Sequence, residues 1–103
     1  MVYIVVKVFY PTHQNEVVSA RNIEMTAKFP PDNSIAEPVI PLAARATKEG
    51  IEAMGINLVK EGKFDEALIR TGRAMVMFND IEGFEYSLEV WLTLPEIQAV
   101  GNE

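Results

Sequence analysis

Val2 to Tyr10 reads VYIVVKVFY, and Phe84 to Leu92 reads FEYSLEVWL. These two runs decide the fold. The first is β-branched and aromatic and is apolar at nearly every position. That pattern marks a strand buried on both faces, and hence a central one. Its even positions, Val2, Ile4, Val6, Val8 and Tyr10, are uniformly apolar and suit packing beneath helices. Its odd positions, Tyr3, Val5, Lys7 and Phe9, mix rings with a lysine, as a partly polar cavity or an interface would. The second run alternates. Phe84, Tyr86, Leu88, Val90 and Leu92 share one side, and Glu85, Ser87, Glu89, Trp91 and Thr93 share the other. Strict alternation belongs to a strand with one buried and one polar side.

Between these runs the chain predicts two helices and a hairpin. Pro11 stops the first strand, and Thr12 offers a cap to a helix from about His13 to Lys28. Val17, Ala20, Ile23 and Ala27 recur at helical spacing and predict its inward stripe. Pro30 and Pro31 end it. Val39 to Ala46 and Ile51 to Lys60 read as strands joined by Thr47-Lys48-Glu49-Gly50. Pro38 and Pro41 demote the first of these to an edge, because proline cannot donate to a ladder. In the second, Met54, Ile56 and Leu58 share one face, while Ala53, Gly55, Asn57 and Val59 share the other. The second helix carries Asp65 and Glu66 in its first turn, where carboxylates meet the positive end of the dipole. Its inward stripe is Phe64, Ala67, Leu68, Thr71, Met75 and Phe78, and its Gly72 is read as a point of close approach to the sheet. Pro95 opens a short tail of one or two helical turns. The predicted order is βαββαβ over residues 1–103: a single α+β domain, ferredoxin-like, with a four-stranded antiparallel sheet and both helices on one face.

Three segments carry a resemblance beyond that order: VYIVVKVFY, the EGKFDEAL step into the second helix, and the ending IEGFEYSLEVWLTLPEIQ. Together they resemble the dimeric α+β barrel superfamily. Its members include stress-responsive barrel proteins, cofactor-free monooxygenases, muconolactone isomerases and amino-acid-sensing regulator domains. The strings are not diagnostic of one family within it. The resemblance implies that the open sheet faces of two subunits meet around an internal cleft. Exposed apolar surface argues the same way. With both helices on one face, the other exposes Tyr3, Val5, Phe9, Val39, Ala53, Val59 and Trp91. A soluble monomer rarely leaves such a patch bare, and two-fold self-association is the commonest cover.

Composition narrows the function classes. The chain has 103 residues, a formal net charge of −6 and no cysteine. An acidic surface disfavours phosphate backbones, so no nucleic-acid partner is expected. Lack of cysteine removes disulfides, thiolate nucleophiles and Cys-ligated metals, and fits a cytoplasmic setting. No apolar run reaches the ~20 residues of a membrane helix, so no membrane partner is expected either. The first strand has no basic leader and reads as a strand instead of a signal peptide. No G-x-G-x-x-G, P-loop or G-x-S-x-G motif occurs, and the glycine-rich string of ferredoxin-like RNA binders is missing. Acylphosphatases share the element order but carry a glycine-containing anion loop where this chain has Pro11-Thr12-His13-Gln14.

By parity, the open sheet face carries Lys7, Arg45, Asn57, Glu85, Ser87 and Glu89 among Tyr3, Phe9 and Trp91. Convergent polar groups on an apolar floor suit a small-molecule site. Lys7 and Glu89 lie on strands expected to be neighbours and can pair. Glu89 with a raised pKa, or His13 at the strand exit, would be the base of a cofactor-independent isomerase or monooxygenase acting on an aromatic or acidic metabolite. Lys7 or Arg45 would then anchor the anion. The bland alternative is that these charges pair across strands or at a dimer rim and do no chemistry. A lone histidine is a poor metal site, so no metal and no cofactor are expected. Tyr86 reads as core, and Arg21, Arg70 and Arg73 read as solvated helix charges. The expected protein is a homodimer that binds a small ligand between the sheet and its partner, with a purely structural module as the remaining reading.

Overall fold

The computed structural model of the chain describes residues 1–101. It runs β1 (Val2–Tyr10), a 3-10 turn (Thr12–Gln14), α1 (Asn15–Lys28), β2 (Ala36–Ala46), β3 (Ile51–Val59), α2 (Phe64–Val76), β4 (Glu85–Leu92) and α3 (Leu94–Gly101). The strands form one antiparallel sheet in the order β2-β3-β1-β4. The two-sided apolar strand β1 is therefore internal, and β2, with its prolines, is an edge. Ladder register shifts between Pro38 and Ile40 and again between Ile40 and Ala43, where proline donors are missing.

Register decides which side chains face the helices. Directly paired residues lie on the same face of a sheet. Ile4 stands opposite Asn57 on β3 and Val90 on β4, and Val6 stands opposite Gly55 and Leu88. Ile4 packs with Val59, Ile35 and Ala67, while Tyr10 packs with Val18, Met75, Phe78 and Ile81. The even residues of β1 thus lie beneath the helices, as the sequence predicts.

The same register overturns part of the open-face prediction. Between β1 and β4 it joins even to even, whereas between β1 and β3 it joins even to odd. Asn57, Ala53 and Val59 therefore belong to the helix side, and Val59 is only 1% exposed. Met54, Ile56 and Leu58 take their places on the open face, where Val5, expected to be exposed, is only 5% exposed. Val39 lies in the irregular stretch of β2. The two faces of β3 are correctly separated by alternation alone, but their orientation depends on the inter-strand offset.

α1 is also turned from its predicted orientation. Val18 is buried, and Asn22, Met25 and Phe29 face the space above the sheet, whereas Ile23 is 72% exposed. Two causes act together. Val18, Met25 and Phe29 bring more apolar bulk inward than a stripe half made of alanine. Arg21 donates to the Met77 carbonyl and to both carboxylate oxygens of Asp80, at 2.5 and 3.1 Å for the latter, which pins that flank toward the end of α2. The helix starts at Asn15 with no side-chain cap, so Thr12 lies in the preceding turn and does not cap it.

α2 turns its predicted stripe inward, with Ala67, Met75 and Phe78 buried. Gly72 is not the expected point of close approach to the sheet, since a Cβ there would meet nothing within 4 Å. Gly50 is the tight position instead. A Cβ there would lie 2.5 Å from the Tyr10 carbonyl oxygen and 2.8 Å from the Phe9 ring. The tail forms α3, opened by a capping box in which Thr93 N–H and hydroxyl both donate to Glu96 Oε1 at 2.9 Å. Among the described residues no helix is long and apolar enough to cross a membrane.

Candidate functional site

The helices and sheet do not close completely on one another. A half-open cavity of about 410 Å³ remains between α1, α2 and the helix side of the sheet. Its floor is Ile4, Val6 and Val8 of β1 with Ala53, Gly55 and Asn57 of β3. A Cβ on Gly55 would lie 3.3 Å from the Pro41 carbonyl oxygen, and Asn57 is the one polar side chain that β3 contributes to the floor. The far end is apolar and aromatic. Phe84 stacks on Phe78 at 4.8 Å and on Tyr10 at 6.1 Å between ring centroids, with Met75 and Met25 alongside. Burial raises the Tyr10 phenol pKa, and its hydroxyl donates to Asn15 Oδ1 at 2.9 Å.

The rim is formed by Thr26, Phe29, Pro30, Pro31, Asp32, Pro38, Pro41, Leu42 and Arg70. Proline gathers here because the α1–β2 connection and the irregular part of β2 both leave regular ladders. Asp32 accepts from the Ser34 N–H at 3.0 Å and from its hydroxyl at 2.6 Å. Those hydrogen bonds hold its carboxyl below the ordinary value, with smaller help from Arg70 and Lys63. The cavity thus has an apolar interior, an amide on its floor and a polar mouth, the usual make-up of a small-molecule site.

The opposite sheet face is arranged differently. Register brings Tyr3, Val5, Lys7 and Phe9 beside Trp91, Glu89, Ser87 and Glu85. Lys7 Nζ lies 3.4 Å from Glu89 Oε1 and 5.7 Å from the Trp91 ring centre. Trp91 Nε1 donates to Glu89 Oε1 at 2.8 Å, and Ser87 Oγ donates to Oε2 at 3.2 Å. This carboxylate is pulled below the ordinary glutamate value, first by the indole donor and then by Lys7 and Ser87. The expected raised pKa is therefore reversed, because three donors converge on the anion, and Glu89 is a poor base near neutral pH.

The other sequence-derived candidates are not assembled into one centre. His13 lies three residues past the end of β1, while Glu89 stands opposite Val5, about 17 Å back along that strand. Arg45 pairs with its cross-strand partner Glu52, at 3.0 Å from Nε and 2.9 Å from Nη2. Lys7, Phe9, Arg45, Glu52, Met54 and Glu85 border a wide, open depression of about 850 Å³. Asn57 stands in the helix-side cavity and is absent from this face. Tyr86 lies on the helix side by register but is 38% exposed, since β4 is an edge that α2 covers only in part.

Asn22, Thr26, Phe29 and Arg70 were not singled out by sequence reasoning as site residues. A signal for them exists. Asn22 falls on the same helical face as Val18, Met25 and Phe29, and a polar residue within an apolar stripe marks a lined space. Comparison of the chain with models of known protein families, with curated proteins and with solved structures finds no match in any of the three.

Proposed function

We propose that the chain is a small-ligand-binding protein of ferredoxin-like topology that works as a homodimer. In this reading the open sheet faces of two copies meet in a dimeric α+β barrel, and each copy holds its ligand in the cavity between its own helices and sheet. The observation that carries the ligand site is the 410 Å³ cavity with its apolar interior, Asn57 floor and polar rim. Its volume falls in the ~300–1,000 Å³ range of small-molecule pockets. The open face supports a different role. Lys7, Ser87 and Trp91 already converge there on Glu89, Arg45 is paired with Glu52, and Trp91, 53% exposed, presents a large apolar ring beside them.

The strand order supports the dimer by leaving one sheet face without the covering helices α1 and α2. The molecule measures 48 × 30 × 19 Å, a thickness of two layers, one of sheet and one of helices. Four strands of about nine residues present a bare face of roughly 600 Å². A stable interface takes about 800 Å² from each partner, so most of that need is met by the sheet alone.

A thermal-shift panel of small amphipathic compounds tests the ligand site. A compound at a hundredfold its Kd contributes about 2.7 kcal/mol and raises Tm by on the order of 10 °C in a domain this size. Thr26→Trp fills the mouth from an exposed rim position and is expected to abolish the shift. A panel without any stabilising compound, or a shift that survives Thr26→Trp, would remove the cavity as the site.

A further inference from the structure

The mouth of the cavity has a charge pattern opposite to that of the chain. The protein carries a net charge of −6, yet Lys28, Lys63 and Arg70 gather around the segment from Phe29 to Asp32. Two of these cations approach the Phe29 ring, Lys28 Nζ at 5.7 Å and the Arg70 guanidinium carbon at 6.0 Å from its centre. Lys63 is partly neutralised by Glu66 at 3.8 Å. Arg70 donates one N–H to the Pro30 carbonyl and forms no ion pair among the described residues. The nearby Asp32 carboxylate is engaged by Ser34.

We infer that the cavity takes an amphipathic monocarboxylate, with its carboxylate held by Arg70 at the mouth and its apolar body directed along α2. The inference rests on the cavity being the ligand site. A guanidinium offers five N–H donors in a planar fork that matches a carboxylate, and four remain after the Pro30 carbonyl takes one. The Pro30 hydrogen bond and the Phe29 ring hold this fork at the rim, so little side-chain freedom is lost on binding. From Arg70 to Met75 the axis of α2 advances about 8 Å. Over that length the lining passes from a charged rim to Ala74, Met75 and Phe78, so one end recognises charge and the other an apolar chain or ring. Asn57 lies on the floor opposite Ile4 and suits a further polar atom on the ligand.

Octanoate and 1-octanol separate the two parts of the inference, because they share an apolar body and differ in the head group. Calorimetry on the full chain is expected to show octanoate binding at least tenfold tighter than 1-octanol. Arg70→Met should abolish that preference by weakening octanoate at least tenfold more than 1-octanol, whose retained binding also reports that the cavity is intact. Lys28→Met should retain the preference, because Lys28 contributes only to the general field. Equal affinities for the two probes in the unmodified protein would overturn the carboxylate anchor while leaving the cavity as a site. Equal losses in Arg70→Met and Lys28→Met would also overturn it, in favour of non-specific attraction. Binding of neither probe would overturn the cavity reading, and the anchor with it.

Discussion

Placing a carboxylate at the centre of the open sheet face gives a direct test of the homodimer. Ile56 lies on β3, opposite Val5 and Ile40, and is partly covered in the single chain. Ile56→Asp leaves the new side chain in contact with water as long as the subunits are apart. If two copies pack face to face, the carboxylate enters the contact without a cation to meet it. Neither Lys7, engaged with Glu89, nor Arg45, engaged with Glu52, is free to compensate. Burial of an unpartnered polar group costs about 3 kcal/mol, and two-fold symmetry applies the cost twice. A total of about 6 kcal/mol corresponds to roughly four decades in Kd. A dimer with a Kd near 1 μM would then be monomeric at any practical concentration. Sedimentation velocity from about 1 to 100 μM checks this, with circular dichroism confirming that the variant remains folded. A wild-type chain that sediments as a monomer at 100 μM would refute the argument at its base. A folded Ile56→Asp variant that still sediments as a dimer would show that the subunits meet through another surface.

Two further predictions concern stability. Gly72→Ala is expected to stabilise the chain by about 1 kcal/mol and raise Tm by roughly 4–8 °C in calorimetry, since the position is helical with open space around it; an unchanged or lower Tm would count against that. Glu89 has a folded-state pKa below its unfolded value of about 4.3. Its contribution to stability is therefore present above that unfolded value and is lost as pH falls through the depressed folded one. Glu89→Gln should flatten the acid limb of urea midpoints measured between about pH 2 and 5, and an unaltered slope would rule this linkage out.

Much of the architecture was legible in residue type. β1 was placed inside the sheet by its two-sided apolar run, β2 at an edge by Pro38 and Pro41, and the inward face of α2 by a regular stripe. The errors arose where local pattern leaves a choice that only packing resolves. Alternation sorts β3 into two sets but does not orient them, so local pattern puts Asn57 on the open face while the register puts it beneath the helices. In α1, Val17 and Ile23 looked like a core stripe, yet Val18, Met25 and Phe29 carry more bulk and Arg21 hooks the neighbouring end of α2. The cavity is not visible in local pattern, because its amide residues, Asn22 and Asn57, lie on these two surfaces. The open-face cluster was more readable. Lys7, Glu89 and Trp91 were brought together as expected, but the donors around Glu89 lower its basicity, an effect that depends on distances no sequence pattern contains.

The position of β1 has a consequence during synthesis. Its first partner, β3, begins about 40 residues after β1 ends, and its second, β4, begins about 75 residues after. At ~5–20 residues per second, some 4–15 s separate the emergence of β1 from that of its last partner. Over that interval an almost wholly apolar, proline-free run of high β-propensity has both edges open, the type of segment that pairs with other chains. Lys7 is the only charge between Val2 and Tyr10. A single charge within such a run acts as a gatekeeper against aggregation. By that rule Lys7 is the one residue of β1 suited to hold the nascent strand apart from other chains, and in the folded sheet the same ammonium group lies against Glu89.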